Sequence, residues 1–299
     1  MKTRQLGNSG FPISELGFGC GGFWGENVFP ERKAIELVRQ AATAGINFFD
    51  TGSSYSHGNA EVRLGRALQG LGREQLLVGT KAGTHLSARG LYKDFSPEAL
   101  ERSARRSMRN LGLDPLPLLQ LHSPSCDQMR QAIDHLVKLK QRGMVRYIGV
   151  SVGNATAQTA LELSAFDCVM LTYNVMEKEL SETINVMARK GIGVLVKSPM
   201  AHTVFSNKRF QIRRLSDLWY VARILKNYRK MLKQRAQYRF MNETAGFSAS
   251  EIALKYVLNH PGVGCAVIGT TRPEHLQENV ATLDKTVPAD VIRKIDGVV

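Results

Sequence analysis

Several familiar sequence features are missing, and each absence narrows the possibilities. The four cysteines, Cys20, Cys126, Cys168 and Cys265, show no CxxC spacing. Neither a disulfide framework nor a zinc site is therefore expected, nor any other metal centre. Cys20, Cys168 and Cys265 lie in apolar segments that read as strands, which suits buried free thiols. No apolar run is long enough to cross a bilayer without a charged or polar break. The first residues, Met1-Lys2-Thr3-Arg4-Gln5-Leu6-Gly7, lack the apolar core of a secretion signal, so a cytoplasmic protein without a membrane partner is expected. There is no GxGxxG between a strand and a helix, hence no Rossmann fingerprint. No low-complexity tail and no repeat beyond a strand–helix unit is visible. Acids are also scarce: 26 Asp and Glu stand against 40 Lys and Arg, for a net charge of +14. Between Phe205 and Phe240 there are 11 Lys or Arg and one acid, Asp217, so +10 of the total falls there. Such a stretch attracts anions.

What is present is a strict rhythm. Short apolar runs at Glu15–Gly19, Ile46–Asp50, Leu76–Lys81, Leu116–His122, Tyr147–Ser151, Cys168–Thr172, Gly193–Lys197 and Ala266–Gly269 read as eight strands. Amphipathic stretches lie between them, such as Glu31–Ala44, Pro97–Leu111, Asp127–Gln141, Ala155–Ser164 and Ser181–Lys190. Alternation of this kind argues for a parallel sheet, and eight units in this length for a closed barrel. Ser96-Pro97-Glu98 reads as a helix start, and Gly45, Gly112, Gly143 and Gly191 as helix ends. Asn8-Ser9-Gly10 between two extended pieces suggests a hairpin before the first barrel strand. After the seventh strand about 50 residues pass before a helix near Ser248, too long for a structureless loop. There Leu215, Leu218, Ala222, Leu225, Tyr228, Leu232, Ala236 and Phe240 recur at spacings of three or four, which predicts one amphipathic helix. The expected fold is α/β: a single (β/α)8 TIM barrel over residues 1–299, with an N-terminal β-hairpin and a helical insert at about 203–246 beside the mouth.

In such barrels chemistry sits at the C-terminal ends of strands. Asp50, Lys81 and His122 each close an apolar run there, on the second, third and fourth strands, and Tyr55 follows in the loop Thr51-Gly52-Ser53-Ser54. A phenol is a poor acid near neutrality, and a nearby ammonium favours its phenolate. Lys81 is placed to supply that ammonium, Asp50 to hold it charged, and His122 to donate to a carbonyl oxygen. A proton donor would then face an oxygen that turns negative as hydride reaches its carbon.

With these residues in place, the sequence resembles the aldo-keto reductase family over nearly its whole length apart from the insert. The resemblance rests on Gly45-Ile46-Asn47-Phe48-Phe49-Asp50-Thr51 with Tyr55, Gly58 and Glu61; on Thr80-Lys81; on Leu111-Gly112-Leu113-Asp114 leading to Leu121-His122; on Ile148-Gly149-Val150-Ser151; and on Glu278-Asn279. It implies that Asp50, Tyr55, Lys81 and His122 are a catalytic tetrad in an NAD(P)H-dependent enzyme that reduces an aldehyde or ketone, or runs the reverse. It implies cofactor contacts from Ser151, Asn154, Lys197, Ser198 and Met200 at the nicotinamide end, and from Gly269, Thr270, Thr271, Arg272, His275, Glu278 and Asn279 at the adenine end. Arg272 at a helix start favours NADP(H) over NAD(H). The sequence departs from the family in four places: Val152-Gly153 follows Ser151, Met170 stands where a glutamine is common, Lys197 stands where an aromatic usually stacks on nicotinamide, and Gly269 stands where a lysine is common before Thr270. Phe23, Trp24 and Tyr92 are the substrate-side candidates.

Other readings share these residues. The tetrad could serve a redox-neutral epimerase or lyase through transient oxidation, or the barrel could be an NADP(H)-binding regulatory protein. The basic stretch suggests an anionic substrate, with Arg209, Arg213 and Arg214 nearest the mouth. Nucleic acid is disfavoured as a partner, because no recognised motif accompanies the charge.

Overall fold

The computed structural model describes residues 1–201, 204–205 and 215–298. Arg209, Arg213 and Arg214 lie outside the described residues. The chain opens on an antiparallel hairpin, β1 (Thr3–Gln5) and β2 (Pro12–Ser14), with Thr3 opposite Ser14. There follow β3 (Leu16–Gly19), α1 (Glu31–Thr43), β4 (Phe48–Asp50), α2 (Asn59–Ala67) and β5 (Leu77–Ala82). A second hairpin, β6 (Thr84–Ser87) and β7 (Gly90–Lys93), precedes α3 (Pro97–Leu111), β8 (Leu116–His122), α4 (Cys126–Gln141) and β9 (Val145–Ser151). Then come α5 (Asn154–Leu163), β10 (Cys168–Thr172), α6 (Ser181–Arg189) and β11 (Gly193–Lys197). The strands β3, β4, β5, β8, β9, β10, β11 and, later, β12 (Cys265–Ile268) close into one parallel barrel, β12 pairing back onto β3. The expected eight-stranded barrel is observed.

Period-2 alternation decides what faces inward. Phe48, Leu77, Leu118, Tyr147, Cys168, Met170, Leu195, Cys265 and Val267 fill the interior, together with Leu6, Phe11 and Ile13 from the first hairpin. That hairpin thus plugs one end of the barrel. Alternate residues such as Phe49, Val78, Leu119, Val150 and Val196 pack outward under the helices. Continuing the inward register upward gives Asp50, Lys81, Gln120 and His122, Ser151 and Lys197 at the other end, the mouth.

The helix boundaries have local causes. Ser96 Oγ accepts from the Ala99 amide ahead of Pro97, and Gly112 ends the helix in the left-handed conformation, φ 63°. Ser125 with Gln128 forms a capping box for α4, and Ser248 with Glu251 one for α10 (Ala249–Leu258). The chain ends with α11 (Pro273–Ala281) and α12 (Ala289–Asp296).

The insert corrects the single-helix expectation. It is α7 (Leu215–Asn227), a break at Tyr228 (φ −126°), α8 (Arg229–Gln234), a 3-10 turn Arg235–Tyr238 and α9 (Phe240–Glu243). The residues that turn inward explain the breaks. Trp219 packs on Phe23, while Met231, Tyr238 and Met241 are buried. On one continuous helix Trp219 and Met231 would point about 120° apart, so the chain must re-aim between them. Leu218 and Leu225, expected inside, are 52% and 44% exposed. The β6–β7 hairpin was not expected either, and its four-residue strands lack a buried alternating face, with β7 exposed throughout. Among the described residues no helix is long and apolar enough to cross a membrane.

Candidate active site

Lys81 Nζ lies 2.5 Å from Asp50 Oδ2 and donates to the Thr51 carbonyl at 2.7 Å. The lysine is 1% exposed. Burial alone would pull its ammonium down, but the Asp50 carboxylate, and then Tyr55, hold it above its ordinary value. Gln120 Nε2 donates to the other Asp50 oxygen at 3.1 Å, so both carboxylate oxygens are fixed. Gln120 was not foreseen; its inward register two residues before His122 is the signal that could have found it.

Tyr55 begins a short 3-10 turn, Tyr55–Gly58, just beyond β4. Its ring centroid is 5.0 Å from Lys81 Nζ and 5.5 Å from the His122 ring, which it meets edge-on at 77°. The slot depends on two small residues: a Cβ at Gly21 would come within 2.8 Å of the Tyr55 ring, and one at Gly52 within 3.2 Å. His122 ends β8. Burial, and then the charges of Lys81, Lys93 and Lys197, push its imidazole down to about 3, so the ring is neutral. Lys93 Nζ donates to the His122 carbonyl at 2.5 Å, and His122 Nδ1 is buried with no partner among the described residues. The four residues expected to act together are brought together.

Asp50, Tyr55 and His122 open on a cleft of about 500 Å³. Gly19, Cys20, Gly21 and Gly22 of the first loop line one side, beside Asp50, Tyr55 and His122; Ser198, Met200 and Gly269 line another. Trp219 and Tyr228 of the insert and Leu91 of the second hairpin complete it. These last three were missed, since their positions depend on segments whose course the sequence does not dictate.

Of the other candidates, Ser151 is buried and accepts at 3.1 Å from Lys197 Nζ, which also donates to the Val152 carbonyl at 2.9 Å. Burial, then Lys81, lowers the Lys197 ammonium to about 8. Met170 is buried in the barrel interior. Asn154 starts α5 and reaches Glu179 at 3.4 Å. Thr270 and Thr271 are buried; Thr270 Oγ1 accepts from the Arg272 amide at 3.0 Å. Arg272 precedes α11 and is ion-paired with Asp217, the acid of the insert. On α11, Asn279 is buried, His275 half-buried and Glu278 exposed. The substrate-side candidates fare differently. Trp24 is corrected to a core residue: it is 1% exposed and donates to the Ala34 carbonyl at 3.2 Å, under α1. Phe23 is buried behind Trp219, its ring centroid 6.2 Å away. Tyr92 stacks on His85 with centroids 5.2 Å apart, and its neighbour Leu91 faces the cleft instead. Glu61 does not reach the mouth; buried, it accepts from Thr80 at 2.6 Å and Asn110 at 2.9 Å, tying α2 to β5 and α3. Among the described residues no cluster of His, Cys, Asp or Glu converges as metal ligands would.

Comparison with known proteins adds the family. The model of the aldo/keto reductase family matches residues 15–299. The NADH-specific methylglyoxal reductase of Escherichia coli is 26% identical over 310 residues, covering 95% of this chain and 94% of its own. The L-galactose dehydrogenase of Arabidopsis thaliana is 29% identical over 307 residues, covering 95% of this chain and 88% of its own. Among solved structures, the holo form of an aldo-keto reductase from Bacillus halodurans superposes with a TM-score of 0.84 at 27% identity, covering 100% of this chain and 96% of that one.

Proposed function

The chain belongs to the aldo/keto reductase family and is an oxidoreductase, and from that premise we propose that it reduces a small aldehyde or ketone with a nicotinamide cofactor, Tyr55 supplying the proton. The observation that carries this reading is the buried Lys81–Asp50 pair set against the Tyr55 ring, with a neutral imidazole edge-on to that ring. Its parts divide the work. His122, neutral, donates a hydrogen bond to the carbonyl oxygen and turns it toward Tyr55. Tyr55 gives its hydroxyl proton to that oxygen as negative charge develops on it. The Lys81 ammonium then faces the phenolate left behind, and Asp50, held on both oxygens, keeps Lys81 charged and in place.

The chain offers a fitting seat for the cofactor. The cleft leads from Tyr55 to Gly269, where a Cβ would meet nothing closer than the Gly19 carbonyl at 3.6 Å, and the buried His122 Nδ1 has no partner among the described residues. The nicotinamide, when bound, supplies hydride to the carbonyl carbon. Ser151, Asn154, Lys197, Ser198 and Met200 would hold its ring end; Gly269, Thr270, Thr271, Arg272, His275, Glu278 and Asn279 would hold the adenosine end. Arg272 favours NADP(H), exchanging the Asp217 carboxylate for a 2′-phosphate. The exposed Lys226, Arg229, Lys233 and Arg239 on the insert extend the substrate class to anionic carbonyl compounds.

The test is consumption of reduced nicotinamide in the presence of a panel of neutral and carboxylated aldehydes. Turnover with at least one of them, lost in Lys81→Met, is expected. A protein that binds the cofactor yet turns over no carbonyl compound would instead fit a regulatory barrel.

A further inference from the structure

Lys197 is a half-buried amine at the ring end of the cofactor seat that the proton transfer does not use. It ends β11 in the inward register of Leu195, and its chain neighbour Ser198 lines the cleft. Its two hydrogen bonds go to neutral oxygens, Ser151 Oγ at 3.1 Å and the Val152 carbonyl at 2.9 Å. Lys81, by contrast, has its charge matched by Asp50 at 2.5 Å. The charged groups that act on Lys197 come from several elements: Lys81 on β5, Asp50 on β4, Lys93 on β7 and Glu177 beyond β10. Of these, Asp50 is engaged by Lys81 and Gln120, and Glu177 accepts from Asn174 at 2.8 Å. His122, on β8, is neutral. Among the described residues no carboxylate hydrogen-bonds to Lys197, so its ammonium brings a surplus positive charge to the floor of the mouth.

That charge has a consequence for whatever ring delivers hydride. To reach a carbonyl held by Tyr55 and His122, the donor carbon must come within about 3–3.5 Å of it. The ring must therefore lie in this cleft, between those residues and the Ser198 side. A nicotinamide ring is neutral when reduced and formally positive when oxidised. We infer that Lys197 biases the site toward the reduced cofactor, repelling the oxidised ring so that the spent cofactor is held less tightly than the fresh one. This rests on the nicotinamide reading above. The amine's lowered proton affinity adds a signature: the charge is present below about pH 8 and lost above it.

The experiment measures dissociation constants of NADPH and NADP+ separately, by quenching of intrinsic fluorescence, for the native protein, Lys197→Met, Lys197→Gln and Lys197→Arg. At about pH 6.5 the native protein and Lys197→Arg should prefer the reduced form, and in the Met and Gln variants that preference should shrink by about tenfold or more. Near pH 9 the native ratio should approach that of the uncharged variants, while Lys197→Arg, which stays charged, should keep its own. An unchanged ratio in the Met and Gln variants, with both forms still bound, would overturn the role of Lys197 and leave the nicotinamide reading intact. Failure of the native protein to bind either form would overturn that reading and the inference with it.

Discussion

At the residue scale the mouth contains two lysines with opposite circumstances, Lys81 buried and Lys197 half-buried. Lys81 is raised by its carboxylate partner and Lys197 is lowered by burial. Removing one side of a buried pair leaves the other charge uncompensated, so Asp50→Ala should destabilise the fold by about 3–5 kcal/mol as well as impair reduction, which denaturant unfolding can check. His122 carries a stability signature as well. Its folded value of about 3 lies below its ordinary value of 6.5, so the fold favours the neutral ring. That contribution is fully present above about pH 6.5 and is lost as pH falls toward about 3. His122→Asn should flatten the fall in melting temperature across that window; an unchanged acid profile would mean the imidazole is not what titrates. Arg272 gives a third expectation. A charge-assisted bond to a 2′-phosphate contributes about 1.5–3 kcal/mol, so Arg272→Ala should raise the NADPH dissociation constant by about tenfold or more and barely touch NADH. Asp217→Asn should tighten NADPH selectively, and equal changes for both cofactors would remove Arg272 from phosphate recognition. Asp50, Lys81 and His122 were legible because each ends an apolar run at an inward register. Trp24 misled because aromatic content in the first loop does not say which way a ring turns, and its indole finds a buried carbonyl under α1.

At the scale of elements, the barrel strands were legible almost to the residue, because a strand buried on both faces must be apolar throughout and is bounded by turns. The second hairpin and the insert were not. Both hang over the rim, where spacing records only which residues could share a face. The insert is anchored where Tyr238 donates to the Val175 carbonyl at 2.8 Å and packs edge-on against Phe205. It delivers Trp219 and Tyr228 to the cleft. Trp219→Ala should therefore raise KM for the best carbonyl substrate several-fold while the melting temperature changes little, since the ring is only partly buried. A large loss of stability with KM unchanged would make Trp219 a packing residue alone. The basic face makes a second claim. Turnover of carboxylated aldehydes should fall with ionic strength faster than that of matched neutral ones, and parallel salt curves would reduce those cations to a solvated surface.

For the whole molecule, the barrel works because its two ends are treated oppositely. One end is stoppered by Leu6, Phe11 and Ile13 of the first hairpin, which join the interior residues in one apolar cluster. The other end is left open and charged. Leu6 is completely buried, so Leu6→Ala should cost about 2–5 kcal/mol in unfolding free energy, with the mouth chemistry intact in the protein that remains folded. The hairpin itself was legible from Asn8-Ser9-Gly10, but its role as a stopper was not, since only barrel closure brings residues from the start of the chain against Leu195 and Cys265. The central claim, that the open end moves a proton through Tyr55, is tested most directly by single-turnover reduction of a good aldehyde substrate in Tyr55→Phe, with cofactor affinity measured alongside. The substitution removes one oxygen from a ring otherwise held by Gly21, Gly52 and His122. Cofactor affinity should stay near the native value while the reduction rate falls by roughly 10²-fold or more; a near-native rate in that variant would contradict the assignment of the proton to Tyr55.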